Sequence, residues 1–165
     1  MHKITRGKHI SLEYLAGFFD GEGSIFITKI NNKRSGNIWY RMCASCGNSN
    51  KEIIEELHNR FSPKRKNFLY RPSRKSSYKP CYQWLATGNV ALNFLKIIEP
   101  EIIVKRNQVR LGIEFQNWRN SLPNTGKRRT DKIMKKCEEF YLKMRKLNLG
   151  YSQPQRLSEK THPIK

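Results

Sequence analysis

Ser11-Leu-Glu-Tyr-Leu-Ala-Gly-Phe-Phe-Asp-Gly-Glu-Gly-Ser24 is the stretch on which the fold turns. Ser11 is a good N-cap, Ile10 before it can staple onto Leu15, and Leu12, Leu15, Ala16 and Phe19 recur at helical spacing. A short helix is expected from Leu12, ending near Gly21, where glycine can take the left-handed conformation that closes a helix. Two carboxylates, Asp20 and Glu22, then stand beside the negative end of the helix dipole, at a cost of about 0.3–1 kcal/mol for each charge near the last turn. Something positive is therefore expected there. No Lys or Arg lies within eight positions on the N-terminal side of the pair or six on the C-terminal side, so the partner must come from elsewhere. A divalent cation fits, because hard ions such as Mg²⁺ take carboxylate and backbone carbonyl oxygens, and an acid-Gly-acid-Gly ending exposes both. Gly17 and Gly21 lie four apart on one helical face with no side chain, so a second copy of the helix can approach closely along it.

The remainder of the chain points to a polyanionic partner. The net charge is +20, from 33 Lys and Arg against 13 Asp and Glu, and nucleic acid is the first choice. At 165 residues the chain suits one compact domain, placed at residues 1–149, with residues 150–165 a basic tail without periodicity that is expected to be disordered. No apolar run approaches ~20 residues and the first residues carry no hydrophobic signal segment, so no membrane partner is expected. An intracellular location follows, and an organelle matrix and a prokaryotic cytoplasm fit equally. Of the four cysteines only Cys43 and Cys46 form a Cys-x-x-Cys pair. On a strand, side chains three apart point to opposite faces, which favours reduced cysteines over a zinc site.

After the motif, Ser24 to Asn32 and Asn37 to Cys46 read as a hairpin around Lys33-Arg34-Ser35-Gly36, with Ile25, Ile27, Tyr40, Met42 and Ala44 facing a core. Ser49-Asn50-Lys51-Glu52 has capping-box spacing and opens a second helix that stops at Ser62-Pro63. Lys64 to Arg71 and Pro80 to Thr87 form a second, longer hairpin. Ala91, Phe94, Leu95 and Ile98 give a third helix, Pro100 is placed in the first turn of a fourth, and Ile133 to Leu147 form a last amphipathic helix. This order is α+β, with a mostly antiparallel sheet covered on one face.

The acids are sorted. None lies between Glu22 and Glu52 or between Glu56 and Glu99, and these two gaps hold five and nine basic residues, so both hairpins are acid-free. A two-stranded ribbon fits the DNA major groove, where Arg and Lys read guanine and Asn or Gln read adenine. The expected contacts to double-stranded DNA are Ser24, Thr28, Asn32, Lys33, Arg34, Arg41 and Ser45 from the first hairpin. Tyr70, Arg71, Arg74, Lys75, Lys79 and Gln83 are expected from the second. Trp39, Tyr70, Tyr82 and Trp84 could stack on unpaired RNA bases or pack the sheet, and packing is preferred for most.

The run Leu15-Ala16-Gly17-Phe18-Phe19-Asp20-Gly21-Glu22-Gly23 resembles the signature of the LAGLIDADG homing endonucleases. One copy is present, which points to the single-motif, homodimeric branch. The resemblance implies an αββαββα core with DNA in the concave face of the sheet, and hydrolysis of one phosphodiester in each strand at a long, pseudo-palindromic site. It implies that two motif helices pack through Leu12, Ala16, Gly17, Asp20 and Gly21, and that Glu22 holds Mg²⁺ or Mn²⁺ with help from the Gly21 carbonyl. Asp20 has either a capping or a catalytic role. The family commonly has a lysine near the metal, which Lys105 matches best, with Arg106 competing. A water-ordering polar residue expected around Cys46 to Asn50 stays unassigned. The alternatives are an RNA-binding maturase on the same fold, with its own intron RNA as partner, and a plain basic binding protein in which the two acids only end a helix.

Overall fold

Alternation of apolar and polar residues sets the sheet, and the computed structural model describes it within residues 10–33, 36–63, 68–71, 81–123 and 130–150, with backbone alone for 68–71. β1 (Gly23–Asn31) buries Ile25 and Ile27. It pairs antiparallel with β2 (Ile38–Asn48), which buries Tyr40, Met42, Ala44 and Cys46 on the same face. Asn32 and Gly36 close the turn between them, with the Gly36 N–H donating to the Asn32 carbonyl at 2.8 Å. Gly36 has φ 65, a conformation that side chains disfavour. β3 (Phe68–Arg71) and β4 (Cys81–Thr87) complete an antiparallel sheet in the order β1-β2-β4-β3.

The covered face is built by helices. α1 (Leu12–Glu22) lays Leu15, Ala16 and Phe19 into the core with no exposure. α2 (Lys51–Phe61) adds Ile53, Ile54 and Leu57, and α3 (Asn89–Ile98) adds Phe94, Leu95 and Ile98. Where these meet, the Phe94 ring is the hub of three edge-on contacts, 4.7 Å from Trp84, 4.8 Å from Phe19 and 4.9 Å from Phe61. The fully buried Trp84 donates its Nε1–H to Ser62 Oγ at 2.8 Å, so this tryptophan packs the core, as preferred from sequence. α4 (Arg106–Ser121) and α5 (Asp131–Leu149) cover the β1 side, with Trp118 stacked on Phe140 and Phe115 edge-on to it between them. Glu138 of α5 binds Lys29 Nζ at 2.7 Å and the Tyr40 hydroxyl; burial and that hydrogen bond push the Tyr40 hydroxyl up to about 12.

The α+β class and element order match the sequence expectation, but three boundaries differ. α1 runs through Gly21, which is helical, to Glu22. Asn50, not Ser49, caps α2, its Oδ1 accepting from Glu52 N–H at 2.9 Å, because Ser49 still belongs to the turn leaving β2. Pro100 sits in a separate 3₁₀ turn, Glu99–Glu101, and α4 starts only at Arg106. The intervening backbone is held by Asp20, as described below. Residues 151–165 lie outside the described residues. No helix among the described residues is long and apolar enough to cross a membrane.

Candidate active site and nucleic-acid face

The end of α1 is fixed by a steric conflict. Gly23 has φ −79 and ψ 161, extended backbone that any residue adopts. A Cβ there, however, would overlap the ring and carbonyl of Phe19. Glycine lets β1 leave directly from the last turn of α1, with the Gly23 N–H donating to the Phe19 carbonyl. Glu22 therefore stands at the corner between helix and sheet, exposed.

Asp20 and Glu22 are treated differently by the fold. Asp20 Oδ2 accepts from the backbone N–H groups of Ile103 at 3.0 Å and Val104 at 2.7 Å, and Oδ1 from that of Lys105 at 2.8 Å. Burial would raise this carboxyl, but the bonds from Val104, Lys105 and Ile103 outweigh it and hold Asp20 below its usual value. The same turn delivers Lys105. Its ammonium donates to the Asp20 carbonyl and lies 3.5 Å from the Gly21 carbonyl, at the negative end of α1. The positive charge expected at this helix end is thus a lysine side chain rather than a divalent cation alone. Arg106 instead turns back to the Ile102 carbonyl at 3.1 Å.

Glu22 makes no hydrogen bond or ion pair among the described residues. Its charge is felt by Cys46, the cross-strand partner of Gly23, whose thiol is pushed up to about 12 by burial and then by Glu22. A thiol so raised stays protonated at neutral pH. Cys43 and Cys46 fall on opposite faces of β2, and no group of three or more His, Cys, Asp or Glu among the described residues is placed to hold a metal ion. What remains is a carboxylate beside a backbone carbonyl, a hard oxygen set that suits Mg²⁺ and leaves most positions for phosphate oxygens, water or a second chain. Asn48 Oδ1 accepts from the Asn50 N–H at 2.8 Å and Asn50 Oδ1 caps α2, so both oxygens are engaged in the turn.

The uncovered face of the sheet follows from the register. Ser24, Phe26, Thr28 and Ile30 of β1 stand opposite Ser45, Cys43, Arg41 and Trp39 of β2, and Gln83, Leu85 and Thr87 of β4 continue the face. Arg41 is exposed, with its guanidinium 5.7 Å from the ring of Trp39. Thr28 Oγ1 lies 3.2 Å from Cys43 Sγ, and Ser45 is only 7% exposed, which leaves it little reach. Asn32 and Lys33 are exposed at the hairpin tip. Tyr70 holds the register position opposite Tyr82, in step with Trp84 and Ala86, whereas Arg71 is opposite Cys81, in step with Gln83 and Leu85. Arg34, Arg74, Lys75 and Lys79 lie outside the described residues. Two basic residues from the acid-free gaps are neutralised after all, Lys29 by Glu138 and Lys51 by Glu55 at 2.8 Å. The acids come from elsewhere in the fold or one helical turn away.

Of the five residues expected to face a second copy, Gly17 and Gly21 lie on the exposed side of α1, where an added Cβ would meet nothing within 4 Å. Leu12 is half-buried, packed against the core. Ala16 is the correction: it is fully buried within its own chain, because it shares the inner stripe with Leu15 and Phe19. Asp20 is engaged by the turn before α4. The exposed face carries Glu13 and Tyr14 instead, and Tyr14 is 59% exposed and stacked on Phe18.

No protein-family model matches the chain, and no curated protein sequence matches it. Solved structures do. The homing endonuclease I-CvuI, in complex with a DNA target in the presence of Mg, matches at TM-score 0.64 and 16% identity over 93% of this chain and 85% of that one. The group I intron-encoded homing endonuclease I-CeuI, complexed with DNA, matches at TM-score 0.64 and 17% identity over 90% of this chain and 72% of that one. The LAGLIDADG homing endonuclease I-GzeII, in complex with its DNA target, matches at TM-score 0.57 and 18% identity over 82% of this chain but only 44% of its own, longer length. The chain has the fold of the LAGLIDADG homing endonucleases.

Proposed function

We propose that the chain is a site-specific DNA endonuclease that works as a homodimer and hydrolyses one phosphodiester in each strand. The observation that carries this reading is the exposed Glu22 carboxylate at the end of α1, which has no partner among the described residues and stands one residue from the Gly21 carbonyl that faces the Lys105 ammonium. Asp20, two residues away, is fully occupied, so the fold ties up one acid of the pair and leaves the other open. A helix ending alone gives no reason for that difference.

Glu22, with the Gly21 carbonyl, would hold Mg²⁺ or Mn²⁺, which when bound stabilises charge on the scissile phosphate. Lys105 adds a fixed positive charge to the same end of α1, kept there by its own backbone N–H on Asp20. Such a preplaced charge acts mainly as negative charge develops during hydrolysis. The uncovered face, with Arg41 beside Trp39 and Lys33 at the hairpin tip, would lie along the DNA.

One chain presents one free Glu22, whereas two strands need two sites, and a twofold axis through the glycine face of α1 would supply the second. Beside that helix end, Ile103 and Val104 are 76% and 51% exposed, apolar surface that a second copy would cover. Substituting Glu22→Gln removes the charge and little volume. Its cleavage of cognate DNA in Mg²⁺ is expected to vanish, with folding and DNA affinity retained; undiminished cutting by the pure variant would overturn the assignment.

A further inference from the structure

Beneath the start of β1 lies a recess of ≈ 260 Å³ lined by Ser24 and Ile25, by Lys105 and Gln108 of the α4 entrance, and by Asn148 of α5. Gln108 is 2% exposed, and its Oε1 is buried without a hydrogen-bond partner among the described residues. Asn148 is engaged, its Nδ2–H donating to the Ile25 carbonyl at 2.9 Å. Lys105 and Gln108 are three apart at the entrance of α4, a spacing that puts their side chains on one side of the turn. The recess has room for several waters at about 30 Å³ each. Buried acceptors are rarely left unmade, and an apolar side chain would pack the first turn of α4 equally well, so packing alone does not account for an amide here.

We propose that Gln108 is a positioning residue for Lys105. A water in the recess accepts a hydrogen bond from the Lys105 ammonium and donates one to Gln108 Oε1, which holds the ammonium at the Gly21 carbonyl and restricts its swing toward solvent. The inference rests on the endonuclease reading of Glu22 and Lys105, and it adds a role for a residue outside the motif.

The test compares Gln108→Met, which keeps the volume but removes the acceptor, with Gln108→Glu, which restores an acceptor. Single-turnover cleavage by Gln108→Met is expected to fall roughly 10- to 100-fold, as for loss of an orienting outer partner, with little change in DNA affinity. Gln108→Glu is expected to cut close to the wild-type rate. A packing role gives the opposite order, because methionine suits a buried site better than a carboxylate; active Met and inactive Glu variants would overturn the proposal. In a Lys105→Met background the Gln108→Met change should cost nothing more, whereas fully additive losses would show that Gln108 acts independently of Lys105.

A second readout needs neither cleavage nor metal. In ¹⁵N spectra of the metal-free wild-type protein the Lys105 ammonium protons are expected to be protected from solvent exchange, and to lose that protection in Gln108→Met. Rapid exchange in the wild type, or protection unchanged in the variant, would rule the water bridge out. Glu22→Gln separates the two readings. If it still cuts, the active-site assignment fails; if it is inert while Gln108→Met cuts normally, only the role of Gln108 falls.

Discussion

Asp20 and Glu22 stand two positions apart and meet opposite fates because one of them faces a turn of backbone and the other does not. In sequence both acids read as an unbalanced charge at a helix end. The partners that resolve Asp20 are three main-chain N–H groups 83 to 85 positions away, and backbone donors carry no mark of their own in a sequence. Lys105 could be singled out only through the family resemblance, and its contact with the α1 carbonyls could not be read from its neighbours. Replacing Asp20 by Ala leaves those N–H groups to water and is expected to cost about 0.5–2 kcal/mol in urea unfolding, the range of a lost helix-entry cap. Cleavage should fall as well, since Lys105 loses its anchor. The carboxyl is depressed in the folded state below its ordinary value, so its stabilisation is complete above that value and is lost as pH falls through the folded value. The wild-type advantage over Asp20→Ala should therefore shrink below about pH 4. An unchanged difference down to acid pH would mean that the bonds do not depend on the charge.

At the scale of elements, α1 shows what a pattern of glycines can and cannot disclose. Three glycines in seven residues suggest one closing turn and one contact face, and Gly17 and Gly21 do lie together on the exposed side of α1. The closing residue was misplaced, because Gly23 is required not by its φ but by the Phe19 ring packed against it, a contact that only the folded core creates. The sheet was more legible. Period-2 alternation put Ile25, Ile27, Tyr40, Met42 and Ala44 on the covered face, as the register has them, while Phe26 and Ile30, which disturb the alternation, turn out to share the open face with Thr28. The two substitutions Gly23→Ala and Gly21→Ala should accordingly have opposite signs in dilute protein. Gly21→Ala sits in a helix with open space beyond it and is expected to stabilise by about 0.5–1 kcal/mol. Gly23→Ala must push the Phe19 ring or the α1–β1 corner aside, an overpacking of about 1–3 kcal/mol, and it moves Glu22 with it. Equal effects in chemical denaturation would show that the Phe19 contact relaxes without cost.

For the whole molecule, what matters is that two faces of different chemistry are left uncovered. The sheet face has Arg41 and Lys33 without an acid beside them among the described residues, while Lys29 and Lys51, equally basic in the sequence, are tied to Glu138 and Glu55 on the helical side. The α1 face carries a single exposed acid on its first turn, Glu13, with Gly17 and Gly21 flanked by the exposed Tyr14 and by Ile103 and Val104. A helix face of this kind suits a second helix at close range, and a symmetric pair would set two Glu22 carboxylates on either side of the axis, as cutting opposed strands requires. Gly17→Val tests this with little disturbance of the chain itself, because no atom of the described residues lies within 4 Å of a Cβ added there and valine is no worse than glycine in a helix. The variant is expected to fold with undiminished thermal stability as a monomer. In sedimentation on a cognate duplex it should fail to form the two-chain complex that the wild type forms, and double-strand cleavage should be lost with it. A Gly17→Val protein that still dimerises and cuts would move the interface elsewhere, and a wild-type complex of one chain per duplex that breaks both strands would mean that a single chain contains both active sites.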